Sequence, residues 1–207
     1  WAPTPPSNHL TLGGAEIVCN LSASNELIGK HAYLKALLAQ QSARTIAGYI
    51  YSSAGYGEST QDVVYGGNAL IYEDGKLLAE GQRFATESQM QTAQIDVERL
   101  RSDRRNNTTF VNAQRRMATE VIRLVHAITT QPHDFVLERE VNPLPFIPTS
   151  DDMQQSCDEI FSIQVMGLAK RLAHTRSTKV VIGVSGGLDS TLALLVCVKT
   201  FDRLKLA

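Results

Sequence analysis

An apolar run followed by a serine- and glycine-rich turn constrains the fold of this chain most strongly. Val180–Val184 is continuously apolar, which is typical of a strand buried on both faces of a parallel sheet. Ser185-Gly186-Gly187 follows, and an apolar helical pattern resumes after it. The order of strand, glycine-rich turn and helix predicts an α/β fold for this part of the chain.

A proline-rich segment divides the sequence. Three prolines fall within six residues at Pro143–Pro148, and such a run is stiff and extended. We therefore expect a linker at 141–150 between domains at 1–140 and 151–207. A long helix should follow, capped by Ser150 or Asp151. Its apolar stripe comprises Cys157, Ile160, Phe161, Val165, Leu168 and Leu172.

The first 140 residues mix strand and helix patterns. Apolar runs predict strands at Ala15–Leu21, Tyr49–Ser52, Thr92–Val97 and His133–Glu138. A helical stripe predicts a helix over 30–47 that ends at Gly48, and Val97–Arg105 predicts a short charged helix. The Asp74-Gly75 pair lies between Ala69–Tyr72 and Leu77–Ala79, which predicts a β-hairpin. Pro3, Pro5 and Pro6 predict that no helix forms at the start.

The charge is balanced, with 20 basic and 21 acidic residues among 207 and a formal net charge of −1. No charged block suggests a nucleic-acid-binding arm. The densest basic cluster, Arg101, Arg104 and Arg105, is predicted to be a solvated helix face. Val180–Val198 is interrupted by Gly186 and Asp189 and fits a membrane helix poorly. With Trp1 first and an abrupt end at Ala207, we expect an internal piece of a longer protein without a secretion signal.

The cysteines point to a reducing, cytoplasmic environment. Cys19, Cys157 and Cys197 are few, odd in number and far apart, so no disulfide framework is expected. Each lies in an apolar pattern, which predicts a buried and unreactive thiol. Neither they nor the histidines have the spacing of zinc ligands.

The turn after Val184 carries the clearest chemistry. A helix start offers unpaired N–H groups and a positive dipole end, which attract phosphate. Glycines let the backbone approach an anion closely, and the two serines add hydroxyl donors. Asp189 would brace the turn or contribute indirectly to a Mg²⁺ environment. The predicted ATP-binding residues are Gly183, Val184, Ser185, Gly186, Gly187, Leu188, Asp189 and Ser190. The alternative is a purely structural turn.

This turn resembles the SGGxDS motif of the ATP-pyrophosphatase family. Stretches in the first part are similar to the second half of a nitrilase-type amidase domain: Pro5-Pro6-Ser7, Gly13–Glu16, Asn20–Ser24, Ile28–Lys30 and Ala54–Thr60. An amidase domain followed by an SGGxDS domain is the order found in glutamine-dependent NAD synthetases. The whole chain therefore resembles that family, with a looser match over 87–131.

The resemblance implies a fold and an activity. The fold would be the C-terminal half of an α-β-β-α nitrilase-type sandwich, a linker, and the start of a Rossmann-like ATP-pyrophosphatase domain (adenine nucleotide α-hydrolase type). The parent enzyme would be a ligase that amidates deamido-NAD to NAD with ATP, Mg²⁺ and ammonia from glutamine. It would form a homo-oligomer and hold no tightly bound cofactor. The family's catalytic Cys, Glu and Lys would precede Trp1, so we expect this piece alone to be inactive.

The resemblance also assigns glutamine binding to Ser24 and Lys30, although the family often has Arg at the second position. The alternatives are a loop hydroxyl and a solvated lysine. Glu58 lies in a loop that resembles a family loop, and a plain turn carboxylate is the alternative. His31 and His126 have no partner evident from sequence, so ordinary surface or core roles are predicted.

Two other functions remain open from sequence. One is a stand-alone nitrilase-type carbon–nitrogen hydrolase with a fortuitous Ser/Gly turn, which predicts that the intact protein does not bind ATP. The other is a non-catalytic interaction module.

Overall fold

The computed structural model describes residues 2–58, 62–117, 136–147 and 153–206. The chain divides into two compact units, Trp1–Arg139 and Glu140–Ala207. Helices and a four-stranded sheet occur in the first unit, and helices occur in the second. The expected mixed α/β character is therefore confirmed at this coarse level.

The first unit contains four strands and four helices among its described residues. They are α1 (Pro6–Leu12), β1 (Ile17–Ser22), α2 (Lys30–Thr45), β2 (Gly48–Ser53), β3 (Ala69–Glu73), β4 (Lys76–Glu80), α3 (Val97–Asn106) and α4 (Thr108–Met117). The second unit contains α5 (Met153–Thr175) and α6 (Leu188–Leu204).

The sheet has the order β1-β2-β3-β4. Strands β1 and β2 are parallel, with Ile17 opposite Gly48 and Ser22 opposite Ser53, and α2 makes the crossover between them. Strands β2, β3 and β4 are antiparallel neighbours. Because β1 and β2 are parallel, their carboxyl ends lie at the same edge of the sheet, and the loops that follow them meet there.

The predicted hairpin is confirmed at β3 and β4. Asp74 and Gly75 both have positive φ, 47° and 84°. A type I′ turn needs positive φ at both central positions, and its twist matches that of the flanking strands. The local sequence therefore sets the register of this pair.

One face of the sheet packs against α2. The core cluster there comprises Val18, Leu34, Leu38, Tyr49, Tyr51, Leu70 and Tyr72. Strand β1 alternates, so Val18 is buried whereas Ile17, Cys19 and Leu21 are exposed. The prediction that Cys19 is buried is therefore wrong, because the described residues cover only one face of β1.

The prediction that prolines prevent a helix at the start is also wrong. Helix α1 begins at Pro6, with Pro5 at the cap position. A proline at the first helical position loses only an N–H group that would have no partner inside the helix, and its fixed φ suits a helix.

Helix α2 ends before the predicted Gly48. Thr45 is its last residue, and Ile46 adopts a left-handed conformation with φ of 47°. Arg104 donates to the carbonyls of Ile46, Ala15 and Thr45 at 2.9, 2.8 and 3.1 Å. The bonds to Thr45 and Ile46 satisfy carbonyls that the helix end leaves open, and the bond to Ala15 ties Arg104 to the residues before β1. Arg104 is only 7% exposed, so the prediction of a fully solvated Arg101–Arg105 face is wrong at this position.

Gly48 instead begins β2, where a side chain would crowd that of Ile95. A Cβ atom there would lie 2.9 Å from Ile95 Cδ1. The segment that contains Ile95 is not the strand predicted at Thr92–Val97, because residues 89–96 have no regular secondary structure. A side chain satisfies part of the hydrogen bonding of this segment's backbone, since Asp96 N–H donates to Glu73 Oε2 at 2.7 Å. Helix α3 then begins at Val97, which confirms the predicted short charged helix.

The strand predicted at His133–Glu138 is not found over 136–138, and 133–135 lie outside the described residues. Gln94 holds this segment. Its Oε1 accepts from Glu138 N–H and Arg139 N–H at 2.9 and 3.1 Å, and its Nε2 donates to Val136 O at 2.7 Å. A side-chain amide therefore replaces the neighbouring strand that the prediction assumed.

In the second unit, the predicted long helix is confirmed as α5, although its predicted caps Ser150 and Asp151 lie outside the described residues. It packs on α6 through buried Val165, Ala169 and Leu172. Thr200 Oγ1 in α6 donates to Val165 O at 3.3 Å. Not every residue of the predicted stripe is buried, since Cys157 is exposed.

The two cysteines of this unit also differ from the prediction of buried thiols. Cys157 in α5 is exposed, and Cys197 in α6 is only half-buried.

The predicted strand Val180–Val184 has no regular secondary structure. Val181 is fully exposed and Val184 is 52% exposed. A strand is defined by hydrogen bonds to a neighbour, and the described residues 153–206 of this unit supply no neighbouring strand.

Among the described helices, none combines the length and apolarity needed to cross a bilayer.

Candidate functional sites

Ser24 and Lys30 come together just beyond the carboxyl end of β1. Lys30 Nζ donates to Ser24 Oγ at 2.7 Å and also to the backbone carbonyl of Asn25. Gly29, with φ of 80°, turns the chain into α2 directly before Lys30. The loop after β1 thus places a cation and a hydroxyl side by side at the sheet edge. Such a pair can bind a carboxylate.

A second polar group braces this loop. Glu26 accepts from Asn68 Nδ2 at 2.5 Å and from Arg83 Nη2 at 2.9 Å. Its backbone N–H donates to Val64 O at 2.7 Å. A Cβ atom on Gly66 would overlap the Glu26 carboxylate, so glycine makes room for it. The loop containing Ser24 is therefore tied to the segment before β3.

His31 continues the network from the first turn of α2. Its Nδ1 pairs with Asn68 Oδ1 at 2.8 Å and its Nε2 with Glu80 Oε1 at 3.0 Å. Lys35 Nζ lies 2.5 Å from Glu80 Oε2. The hydrogen bond from Lys35, together with that from His31, outweighs burial and lowers the pKa of Glu80. Sequence showed no sign of these two partners of His31, because both lie far along the chain on a strand or loop.

Two cavities adjoin these residues. A small one of about 10 Å³ is lined by Ser24, Glu26, Lys30, His31, Leu34, Tyr51 and Asn68. A larger one of about 490 Å³ lies beside it between α2 and the β1–β2 face, and it shares Leu34 and Tyr51. Only the larger cavity falls within the size range of small-molecule sites.

The other predicted residue of this unit lies elsewhere. Glu58 is exposed, and its N–H donates to Gly55 O at 3.3 Å. Its carboxylate has no hydrogen-bond partner among the described residues. Its role near a pocket stays a prediction, and His126 lies outside the described residues.

The predicted phosphate-binding turn in the second unit is held by its two serines. Ser190 Oγ accepts from Ser185 N–H at 3.2 Å and lies 3.2 Å from Ser185 Oγ. It also donates to Gly187 O at 3.1 Å, and Thr191 Oγ1 donates to the same carbonyl at 2.9 Å. Side chains from the first turn of α6 therefore fix the turn that precedes it.

Several N–H groups of this turn remain available. Gly187 is the N-cap of α6 and provides no side-chain cap. Within residues 153–206, the N–H groups of Gly186, Leu188 and Asp189 have no acceptor. Residues 185–189 are all exposed. The turn therefore presents several backbone donors and a helix N-terminus to solvent, an arrangement that suits an anion.

Glycine is required at Gly186, whose φ is 86°. A Cβ atom on Gly183 or Gly186 would meet nothing within 4 Å, so open space surrounds this backbone. The carboxylate of Asp189 is exposed and makes no hydrogen bond to any described residue. The bracing that sequence offered as one role for Asp189 is carried out by Ser190.

A comparison with protein families gives a match in the second unit. A family model described as NAD synthase matches residues 160–207, which include α6 and the turn before it. The match covers the residues predicted to bind ATP.

Individual related proteins carry a more specific description than the family model does. A glutamine-dependent NAD(+) synthetase of Mycobacterium bovis is 43% identical over 207 residues, covering 98% of this chain and 30% of the relative. The corresponding protein of Mycobacterium leprae is 41% identical with the same coverage. A solved glutamine-dependent NAD(+) synthetase from Cytophaga hutchinsonii matches 37% of this chain and 13% of that chain, at 31% identity and a TM-score of 0.36.

The resemblance to glutamine-dependent NAD synthetases is therefore confirmed along nearly the whole chain. The chain spans about 30% of the length of the mycobacterial relatives that it matches.

Proposed function

We propose that this chain is a segment of a glutamine-dependent NAD synthetase, a carbon–nitrogen ligase. It would contribute part of the ammonia-releasing domain and the ATP-binding turn of the synthetase domain. The turn at 185–190 carries the proposal. Its free N–H groups suit a phosphate, and it lies inside the segment that matches the NAD synthase family.

The reaction at the second unit is adenylation followed by amidation. The nicotinate carboxylate of deamido-NAD attacks the α-phosphorus of ATP, and pyrophosphate leaves. Ammonia then attacks the acyl carbon, AMP leaves, and one proton is lost to give the amide of NAD. A carboxylate is a poor electrophile at neutral pH, and adenylation supplies the leaving group.

The residues of the turn would hold the departing pyrophosphate. N–H groups of Gly186, Leu188 and Asp189 donate to phosphate oxygens, and the start of α6 adds a favourable dipole. Ser185 and Ser190 keep these donors in place through their mutual contact at 3.2 Å.

Magnesium would accompany ATP as its counterion. Mg²⁺ prefers oxygen ligands and keeps several waters or phosphate oxygens. Among the described residues, no three His, Cys, Asp or Glu side chains gather to hold a metal ion. The exposed carboxylate of Asp189 fits a magnesium ion that phosphates and water mainly hold. We propose no tightly bound cofactor.

Glutamine would bind in the first unit at Ser24 and Lys30. The Lys30 ammonium would pair with the α-carboxylate, and Ser24 Oγ would add a hydrogen bond. Lysine offers a single charged point where the family often has the bidentate guanidinium of arginine. The neighbouring network through Glu26 and Asn68 keeps the loop in position.

The domain bounds, the cellular location, the oligomeric state and the partners belong to the same proposal. Residues 1–140 would be the C-terminal part of the nitrilase-type sandwich, 141–150 the linker, and 151–207 the start of the Rossmann-like ATP-pyrophosphatase domain. The intact enzyme would be a cytoplasmic homo-oligomer that binds neither nucleic acid nor membrane. Light scattering of the intact protein tests the oligomeric state, and cell fractionation tests the cytoplasmic location.

The test uses the complete protein that contains this chain. Ser185→Ala and Asp189→Ala should each abolish glutamine- and ammonia-driven pyrophosphate release while glutamate release from glutamine continues. Ser177→Ala is the matched control, because this serine lies in the same unit outside the turn. Normal pyrophosphate release in both variants would reject the assignment. A complete protein that hydrolyses amides and does not bind ATP would favour the stand-alone hydrolase.

A further inference from the structure

The cavity of about 490 Å³ is built mainly from α2 and the inner face of β1 and β2. Asn20, Ser22, Tyr49 and Tyr51 supply its polar lining from the two strands. It shares two lining residues, Leu34 and Tyr51, with the small cavity beside Ser24 and Lys30. The side chain of Tyr51 therefore lines both the larger cavity and the space beside the Ser24–Lys30 pair.

Tyr51 has a hydroxyl without a hydrogen-bond partner. The residue is only 4% exposed, and its hydroxyl has no partner among residues 2–58, 62–117 and 136–147 of this unit. The hydroxyl is nevertheless accessible, because it is not among the fully buried unpartnered side-chain atoms of the described residues, and the side chain lines the cavity. The next inward-facing tyrosine on the strand differs, because the hydroxyl of Tyr49 accepts from Asn20 Nδ2 at 3.1 Å.

We propose that the hydroxyl of Tyr51 is a specificity-determining contact for the amino-acid substrate in this cavity. The proposal rests on the proposed function, since it takes glutamine as the ligand of the Ser24–Lys30 pair. Those two residues hold the α-carboxylate. The phenol of Tyr51 then meets the side-chain carboxamide, because a hydroxyl both donates and accepts, as a carboxamide does.

A matched residue separates this role from simple burial. Tyr72 is 3% exposed, belongs to the same core cluster, and its hydroxyl also lacks a hydrogen-bond partner within the described part of the first unit. It lines neither of the two cavities beside Ser24 and Lys30. Replacing tyrosine by phenylalanine at either position removes the same atom from a similar environment, but only Tyr51 adjoins the substrate space.

The experiment compares Tyr51→Phe and Tyr72→Phe in the complete protein. Glutamate release should show a KM for glutamine raised about tenfold in Tyr51→Phe, the usual effect of losing one hydrogen bond to a ligand. Synthesis driven by added ammonia should keep its kcat and KM. The unfolding temperature should stay equal, because the hydroxyl that is removed has no hydrogen-bond partner within the described part of the first unit. Tyr72→Phe should leave the KM for glutamine unchanged.

The outcomes distinguish the inference from the proposed function. An unchanged KM for glutamine in Tyr51→Phe, with normal glutaminase activity, overturns the inference alone. An equal rise in both variants also overturns it, because the effect would then follow from repacking of the core. If the unmodified protein binds no glutamine and releases no glutamate, the proposed function fails and takes the inference with it.

Discussion

Arg139 donates two hydrogen bonds to the carboxylate of Glu73, at 3.0 and 2.9 Å. Glu73 is only 3% exposed, and it also accepts from the N–H of Asp96. One carboxylate at the end of β3 therefore joins the segment before α3 to the last residue of the first unit.

Glu73→Gln should lower the free energy of unfolding by about 2 kcal/mol, because Arg139 loses its ionic partner in a buried setting. Urea unfolding measures the change. Glu138→Gln is the control, since Glu138 is exposed and only its backbone N–H is bonded in this region. A loss of similar size in both variants would contradict a specific role for the Arg139–Glu73 pair.

Stability should fall in acid. Burial raises the pKa of Glu73, but hydrogen bonds from Arg139 and Asp96 N–H outweigh it and hold the pKa below its ordinary value. A lowered carboxyl pKa gives stability that is present above the unfolded value and is lost as pH falls through the folded one. Glu80 behaves in the same way, whereas burial raises the pKa of Asp74 and opposes the trend. Urea midpoints between about pH 7 and pH 3 should fall less steeply in Glu73→Gln.

Gly75→Ala should destabilise the hairpin by about 1–2 kcal/mol. The position has φ of 84°, and an added Cβ would lie 3.0 Å from Ala43 Cβ on α2. Gly167→Ala makes the same chemical change inside α5, where nothing lies within 4 Å, and should stabilise by about 0.5–1 kcal/mol. Thermal unfolding of both variants checks the predicted opposite signs.

Arg104→Ala should cost about 2–4 kcal/mol, because the carbonyls of Ile46, Ala15 and Thr45 lose a buried cationic donor. Arg104 also lies over the ring of Phe110, 5.0 Å from its centre. Arg105→Ala, one residue along the helix at an exposed position, should change stability by less than about 0.5 kcal/mol. Equal unfolding midpoints for the two variants would show that the buried contacts contribute little.

Sequence predicted the elements whose determinants are local. The Asp74-Gly75 pair specifies its own turn, and the apolar periodicity of α5 and α6 specifies helices without distant partners. The proximity of Ser24 and Lys30 also follows from a short loop after one strand.

Features that depend on distant residues were missed. His31 pairs with Asn68 and Glu80, 37 and 49 residues away, and no periodicity encodes such contacts. The burial of Arg104 depends on where α2 ends, which a basic cluster does not reveal. Val180–Val184 has strand composition, but composition cannot supply the neighbouring strand that pairing requires. Tyr51 was not singled out because its free hydroxyl is visible only when its surroundings are known.

The serine pair at the start of α6 has a consequence for the kinetics of ligand capture. Since Ser190 already closes the turn onto Ser185 N–H, the backbone of the proposed phosphate site would need no rearrangement to accept an anion. The association rate at such a preformed site would be set by diffusion and charge instead of by a folding step in the loop.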